Sequence, residues 1–191
     1  CRLISLVGLG GSGKTRLSIQ AAANARGFSD GVFFIALAAI KSLDDVIPAV
    51  AEAAHMSFYV QLNTHLTREA AQAQVFNYLN PKEALLVFDN CEHLLTDRGS
   101  GFAELIAELL ATAPKVKAIA TSRERLNLPG EWVFNVPGLS FPKDDERKDV
   151  RTYAAVQLFV KSAARTGPFA VDESDWSAIA RICQLLGGIP L

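Results

Sequence analysis

Short apolar runs alternate along this chain with longer stretches of helical spacing, and glycine, proline or charge marks nearly every change between them. Residues 2–7 (RLISLV) read as a strand ending at a glycine-rich turn, and residues 14–26, rich in alanine, read as the helix after it. Residues 32–37 (VFFIAL) have the β-branched and aromatic character of a buried strand. A helix is predicted over 43–56, where Asp44 and Asp45 suit a helix N-terminus and Pro48 is tolerable only in the first turn. Another covers 67–79 and is stopped by Asn80-Pro81. Residues 84–88 (ALLVF) form a strand ending at Asp89, a helix occupies 102–110, and a strand spans 116–120, followed by Thr121-Ser122-Arg123. Residues 132–136 make a last strand between two Pro-Gly pairs.

Beyond it, residues 143–149 are an unbroken charged run of mixed sign, which cannot enter a core and reads as a solvated linker. Tyr153, Val156, Phe159 and Val160 mark one amphipathic helix after the run. Trp176, Ile179, Ile182, Cys183 and Leu186 mark another, with Asp172 or Ser174 as its cap and Gly187-Gly188 at its end. Strands alternating with helices imply an α/β fold, three layers around a mainly parallel sheet. The expected organisation is a core over 1–141 and the start of a helical lid over 142–191.

With 191 residues, 50% hydrophobic and 20% charged, the chain has the make-up of an ordinary globular domain. A formal net charge of −1 supplies no global field for a nucleic-acid backbone or an anionic membrane, so direct contact with either is not expected. The longest apolar run, 32–40, is about half of what a membrane-spanning helix needs, and a cytoplasmic protein is expected. Cys1, Cys91 and Cys183 are far apart, and His55, His65 and His93 form no pair at metal-ligand spacing, which reads as reduced thiols without zinc. The start at Cys1, directly before a core strand, reads as a cut from a longer polypeptide.

Chemistry concentrates in Gly8-Leu9-Gly10-Gly11-Ser12-Gly13-Lys14-Thr15, which matches G-x-x-x-x-G-K-[ST] between a strand and a helix. Gly8, Gly10, Gly11, Ser12 and Gly13 let backbone N–H groups close around phosphate oxygens at a helix N-terminus. Lys14 is placed for the β- and γ-phosphates and Thr15 for a magnesium ion, and the cofactor-binding segment runs on to Arg16. The expected cofactors are ATP or ADP with Mg²⁺. Gly8-x-Gly10-x-x-Gly13 also reads as a dinucleotide fingerprint, but no acid closes the second strand and Lys14-Thr15 would be left unexplained.

Asp89 puts a carboxylate at the end of a buried strand, where magnesium above such a loop needs an oxygen ligand; the plainer alternative is a turn cap. Glu92 and His93 follow within one turn, and either is placed to orient an attacking water, with Glu92 preferred. Cys91 reads as a packed, inert thiol. Arg123, just beyond the 116–120 strand, is the candidate for reaching a γ-phosphate; neighbouring Arg125 reads more simply as surface charge.

In order along the chain, GLGGSGKT, LLVFDNCEHLL, ATSRERL and CQLLGGIPL resemble the STAND-class signalling ATPases, the group containing NB-ARC proteins, and most of all their bacterial branch with DNCEH after the acidic strand. That resemblance runs from Leu3 to Leu191. It implies that Lys14 and Thr15 serve phosphate and magnesium, Asp89 is the metal acid, Arg123 reports the γ-phosphate and Pro190 packs near the adenine. It further implies slow ATP hydrolysis as a switch, self-assembly in the ATP state, and partner domains in a longer signalling or transcriptional regulator. The sequence departs from it at Asn90, where many relatives carry a second acid. It also lacks the family's nucleotide-contacting segment upstream and winged-helix part downstream, so the lid is expected to be incomplete. A non-hydrolysing ADP-binding scaffold is the alternative from another class. A small-molecule kinase is disfavoured because no acceptor pocket or lid arginines can be located.

Overall fold

The computed structural model describes residues 1–59, 67–95, 101–143, 149–166 and 170–190. His65, the inner part of the charged run and Leu191 lie outside them. The strands are β1 (Leu3–Val7), β2 (Gly31–Ala36), β3 (Ala84–Asp89), β4 (Lys117–Ser122) and β5 (Glu131–Asn135). The helices are α1 (Lys14–Asn24), α2 (Val46–Ala53), α3 (Arg68–Leu79), α4 (Gly101–Thr112), α5 (Ala154–Thr166) and α6 (Asp175–Leu185). Among the described residues no helix is long and apolar enough to cross a membrane.

All strand pairs are parallel, in the order β2-β3-β4-β1-β5. Side chains on one face, among them Leu3, Ile35, Leu86, Phe88 and Ala118, pack with Val46, Val50, Val75, Leu79, Phe102 and Ile106 of α2, α3 and α4. Helix α1 packs across β1, β3 and β4. Since β4 lies between β1 and β3, the C-terminal ends of these three strands stand side by side, and the loops that leave them share one sheet edge.

Two compact units divide the chain: residues Cys1–Gly8 with Lys14–Asn135, and Leu9–Gly13 with Val136–Leu191. In the first, the helix predicted over 43–56 is broken in two. Ser42 Oγ accepts from Asp44 N at 3.2 Å and caps a 3-10 turn, Leu43–Asp45, before α2 begins; Pro48 then falls in the first turn of α2, as its missing N–H requires. Strand β4 runs two residues further than its apolar stretch, because Thr121 and Ser122 stay in register with Leu6 and Val7 of β1.

In the second unit Tyr153 and Val156 of the α5 region pack against Ile179 and Cys183 of α6. Neither expected cap serves α6: the Ser174 side chain makes no capping bond, and the carboxylate of Asp175 instead accepts from Asp172 N at 2.9 Å. The far end is a Schellman motif, with Gly187 N donating to Gln184 O (2.9 Å) and Gly188 N to Cys183 O (3.0 Å) at positive φ. Leu139 N donates to Gly188 O at 2.7 Å, so close that a Cβ on Gly188 would stand 2.1 Å from Leu139 O. Gly188→Ala is therefore expected to destabilise this unit by at least the roughly 1–2 kcal/mol of a left-handed alanine. Urea unfolding followed by Trp176 fluorescence in a Trp132→Phe background checks this; an unchanged midpoint would refute it.

Candidate functional site

Strand β1 ends at Gly8, whose N–H donates to Ser122 O of β4 at 3.3 Å. The chain re-enters the first unit at Lys14, the first residue of α1, whose Nζ donates to Gly8 O at 2.8 Å while only 9% of the residue is exposed. Between them, Gly11 (φ 75°) and Gly13 (φ 91°) hold the left-handed backbone of the loop, and Ser12 N donates to Leu9 O at 3.2 Å. The Ser12 hydroxyl is buried with no hydrogen-bond partner. Arg16 is exposed on α1.

One residue after Lys14, Thr15 Oγ1 donates to Asp89, 2.8 Å from Oδ1 and 3.0 Å from Oδ2. The start of α1 is thereby tied to the end of β3, although β1, which precedes that helix, is not a neighbour of β3. The strand between them contributes a residue that sequence reasoning missed. Thr121 Oγ1 donates to Asp89 Oδ1 at 2.6 Å and accepts from Asn90 N at 2.8 Å. Only the Asp89 carboxylate on the neighbouring strand β3 gives that threonine meaning, and nothing local in ATSRERL signals it.

Asn90 has φ 66°, so the chain turns sharply after Asp89, and Cys91 N donates to Thr121 O at 2.9 Å. Cys91 is fully buried; burial first, then the charges of Asp89 and Glu92, push its thiol well above the usual range, which keeps it protonated and inert. Glu92 opens a 3-10 turn, Glu92–Leu94, with Oε1 accepting from Arg123 Nε at 3.1 Å; its other oxygen, Oε2, is buried without a hydrogen-bond partner. His93 Nε2 lies 2.7 Å from the accepting carbonyl of Ile40, so its ring is engaged with the loop after β2. Gly8, Lys14, Thr15, Asp89, Glu92 and Arg123 are thus brought to one sheet edge, while Arg125 is simply exposed.

The oxygen donors gathered here, a hydroxyl and a carboxylate, fit a magnesium ion that keeps waters and takes phosphate oxygens. Among the described residues no cluster of three or more His, Cys, Asp or Glu forms a self-contained metal cage. In the second unit Pro190, whose ring is 4.0 Å from where a Gly13 Cβ would stand, also lines an apolar cavity of about 330 Å³ with Leu139, Phe159, Cys183 and Leu186.

No protein-family model matches the chain. A Mycobacterium tuberculosis protein provisionally named an HTH-type transcriptional regulator is 36% identical over 191 residues, covering all of this chain and 19% of that protein. The chain thus spans about a fifth of the length of the first curated relatives it matches. Among solved structures, Cdc6p of Pyrobaculum aerophilum superposes with a TM-score of 0.56 at 18% identity, covering 85% of this chain and 43% of that one. The Orc1 protein of Aeropyrum pernix, solved in complex with DNA, gives 0.56 at 18% identity, covering 98% and 51%. With the parallel sheet and the glycine loop between β1 and α1, these likenesses establish the three-layer α/β P-loop NTPase fold. The expectation of no contact with nucleic acid finds no support in them, since one neighbour was solved on DNA.

Proposed function

We propose that this chain is the nucleotide-binding core of a signalling ATPase, binding ATP or ADP with Mg²⁺ and using slow hydrolysis as a switch. The observation that carries the reading is the hydrogen bond from Thr15, its one proton shared between both oxygens of Asp89, which joins the start of α1 to the acidic end of β3 across β4. Backbone amides of residues 8–15 take the phosphates and Lys14 offsets their charge. Mg²⁺, when bound, would supply positive charge to offset the negative charge on the phosphate oxygens. Asp89 and Thr15 present oxygens to that ion, Glu92 orients the attacking water, and Arg123 reads the γ-phosphate. Residues 1–141 form the core and 142–191 the start of a lid in which Pro190 packs near the adenine.

On this reading the partner domains lie in a longer polypeptide that self-assembles in the ATP state, and the resemblance to a provisionally named regulator over a fifth of its length supports only the transcriptional-regulator part. Titration with ATP and ADP, in Mg²⁺ and in EDTA, together with long time courses of phosphate release, tests the proposal. Binding of both nucleotides with slow release is expected; a protein that binds neither would sink it. Asn90, standing where a second acid is common, favours one other reading, an ADP-binding scaffold that hydrolyses nothing. Tight ADP binding with no released phosphate would select it.

A further inference from the structure

The resemblance gives no role to the hydroxyl of Thr121 in ATSRERL, yet it makes the shortest contact to the carboxylate on which the site depends. We infer that Thr121 is a positioning residue: it fixes Asp89 and the turn carrying Glu92, and so sets how strongly magnesium supports nucleotide binding. This rests on the phosphate-site reading above.

Topology puts it there. Because β4 separates β1 from β3, the residue one step past the paired Phe88 and Ala120 stands beside Asp89, and that residue is Thr121, 1% exposed. Its rotor has no freedom left. Asn90 N–H can only donate, so Thr121 Oγ1 accepts there (2.8 Å), and its single proton is committed to Asp89 Oδ1 (2.6 Å). Two hydroxyls therefore converge on Oδ1, from Thr121 at 2.6 Å and Thr15 at 2.8 Å, whereas Oδ2 receives only the longer 3.0 Å contact from Thr15. Oδ2 is the oxygen with acceptor capacity to spare, and Thr121 is what keeps the carboxylate from rotating to present the other.

The same side chain, with its own carbonyl, holds the turn. Asn90 sits at φ 66°, left-handed backbone that few residues besides glycine and asparagine adopt readily. Its N–H bonds the Thr121 hydroxyl, and the next N–H, of Cys91, bonds the Thr121 carbonyl at 2.9 Å. Loss of the hydroxyl leaves the half-buried Asp89 carboxylate and the Asn90 amide each short of one partner. The position of Glu92, two residues on, depends on that turn.

The test compares wild type with Thr121→Val, which keeps the shape without the hydroxyl, and with Thr121→Ser, which keeps the hydroxyl. ATP and ADP affinities are measured in EDTA and in Mg²⁺, and Mn²⁺ binding to the ADP complex is followed by electron paramagnetic resonance. Thr121→Val is expected to lose roughly ten- to a hundredfold in metal affinity, as outer-shell partners of metal ligands do, with nucleotide affinity in EDTA unchanged. Thr121→Ser is expected to keep the metal-dependent gain. A merely structural role would instead weaken binding equally with and without metal, and that result overturns the inference. So does a Thr121→Val protein that gains from Mg²⁺ as wild type does. If valine unfolds the sheet edge, Thr121→Ala, which leaves room for water, takes its place in the same titrations. Wild type that binds neither nucleotide overturns the phosphate-site reading and this inference together.

Discussion

Replacing Lys14 with alanine is expected to weaken ATP and ADP binding by roughly ten- to a hundredfold, the worth of one charge-assisted contact to phosphate. Lys14 is the first residue of α1, and its ammonium lies back against Gly8 O at 2.8 Å, at the neck of the loop that would enclose the phosphates. The cation therefore adds to backbone amides and a helix N-terminus that favour the same anion. Because the side chain is largely buried, alanine also removes packing. Lys14→Met, which keeps an unbranched stem, separates the two effects: both variants should bind poorly, but only alanine should lower the unfolding midpoint appreciably. Calorimetry or a fluorescent nucleotide supplies the affinities. Wild-type affinity in Lys14→Met would show that the charge does not serve phosphate.

Among the described residues the hydrophobic pattern marks each strand and α-helix, because each is a local property of a buried run or an amphipathic stripe. Where it failed, local chemistry competed with the pattern. Ser42 caps a 3-10 turn that splits the helix expected over 43–56, since a side-chain oxygen can satisfy the first amides before the helix proper begins. The end of β4 was misplaced for a different reason. Thr121 and Ser122 are polar and look like the start of a loop, yet both are almost fully buried between β1 and β3, where their hydroxyls and backbone groups find partners.

The site was legible to the extent that it is contiguous. The loop from Gly8 to Thr15 announces itself, and Asp89 follows from its place at the end of an apolar run. The pairings are not written locally. Thr121 meets Asp89 across 32 residues of chain and Glu92 meets Arg123 across 31, and both contacts depend on β4 lying beside β3. Periodicity gives a strand's existence but not its neighbours, so the residue between the P-loop and the acid could be named only once the strand order was known.

The Glu92–Arg123 pair leads to the second large effect. Arg123→Ala is expected to weaken ATP binding roughly tenfold or more while leaving ADP binding unchanged, because the guanidinium serves only the phosphate that distinguishes them. In the structure Arg123 Nε bonds Glu92 Oε1 at 3.1 Å, with the arginine side chain 69% exposed and the glutamate 20%. An ion pair with one partner so exposed is worth only about 0–1 kcal/mol, whereas a phosphoryl group offers several charged oxygens to the same fork. A γ-phosphate should thus draw Arg123 from Glu92 at little cost, and the released carboxylate is then able to hold water. Glu92→Gln accordingly should keep ATP affinity but lower phosphate release roughly a hundredfold or more, the usual contribution of a positioned base. Parallel ATP and ADP titrations of both variants, with phosphate release for Glu92→Gln, distinguish the roles. Undiminished release from Glu92→Gln would leave the glutamate as no more than a counter-ion, and an Arg123→Ala protein that binds ATP like wild type would remove the arginine from the γ-phosphate altogether.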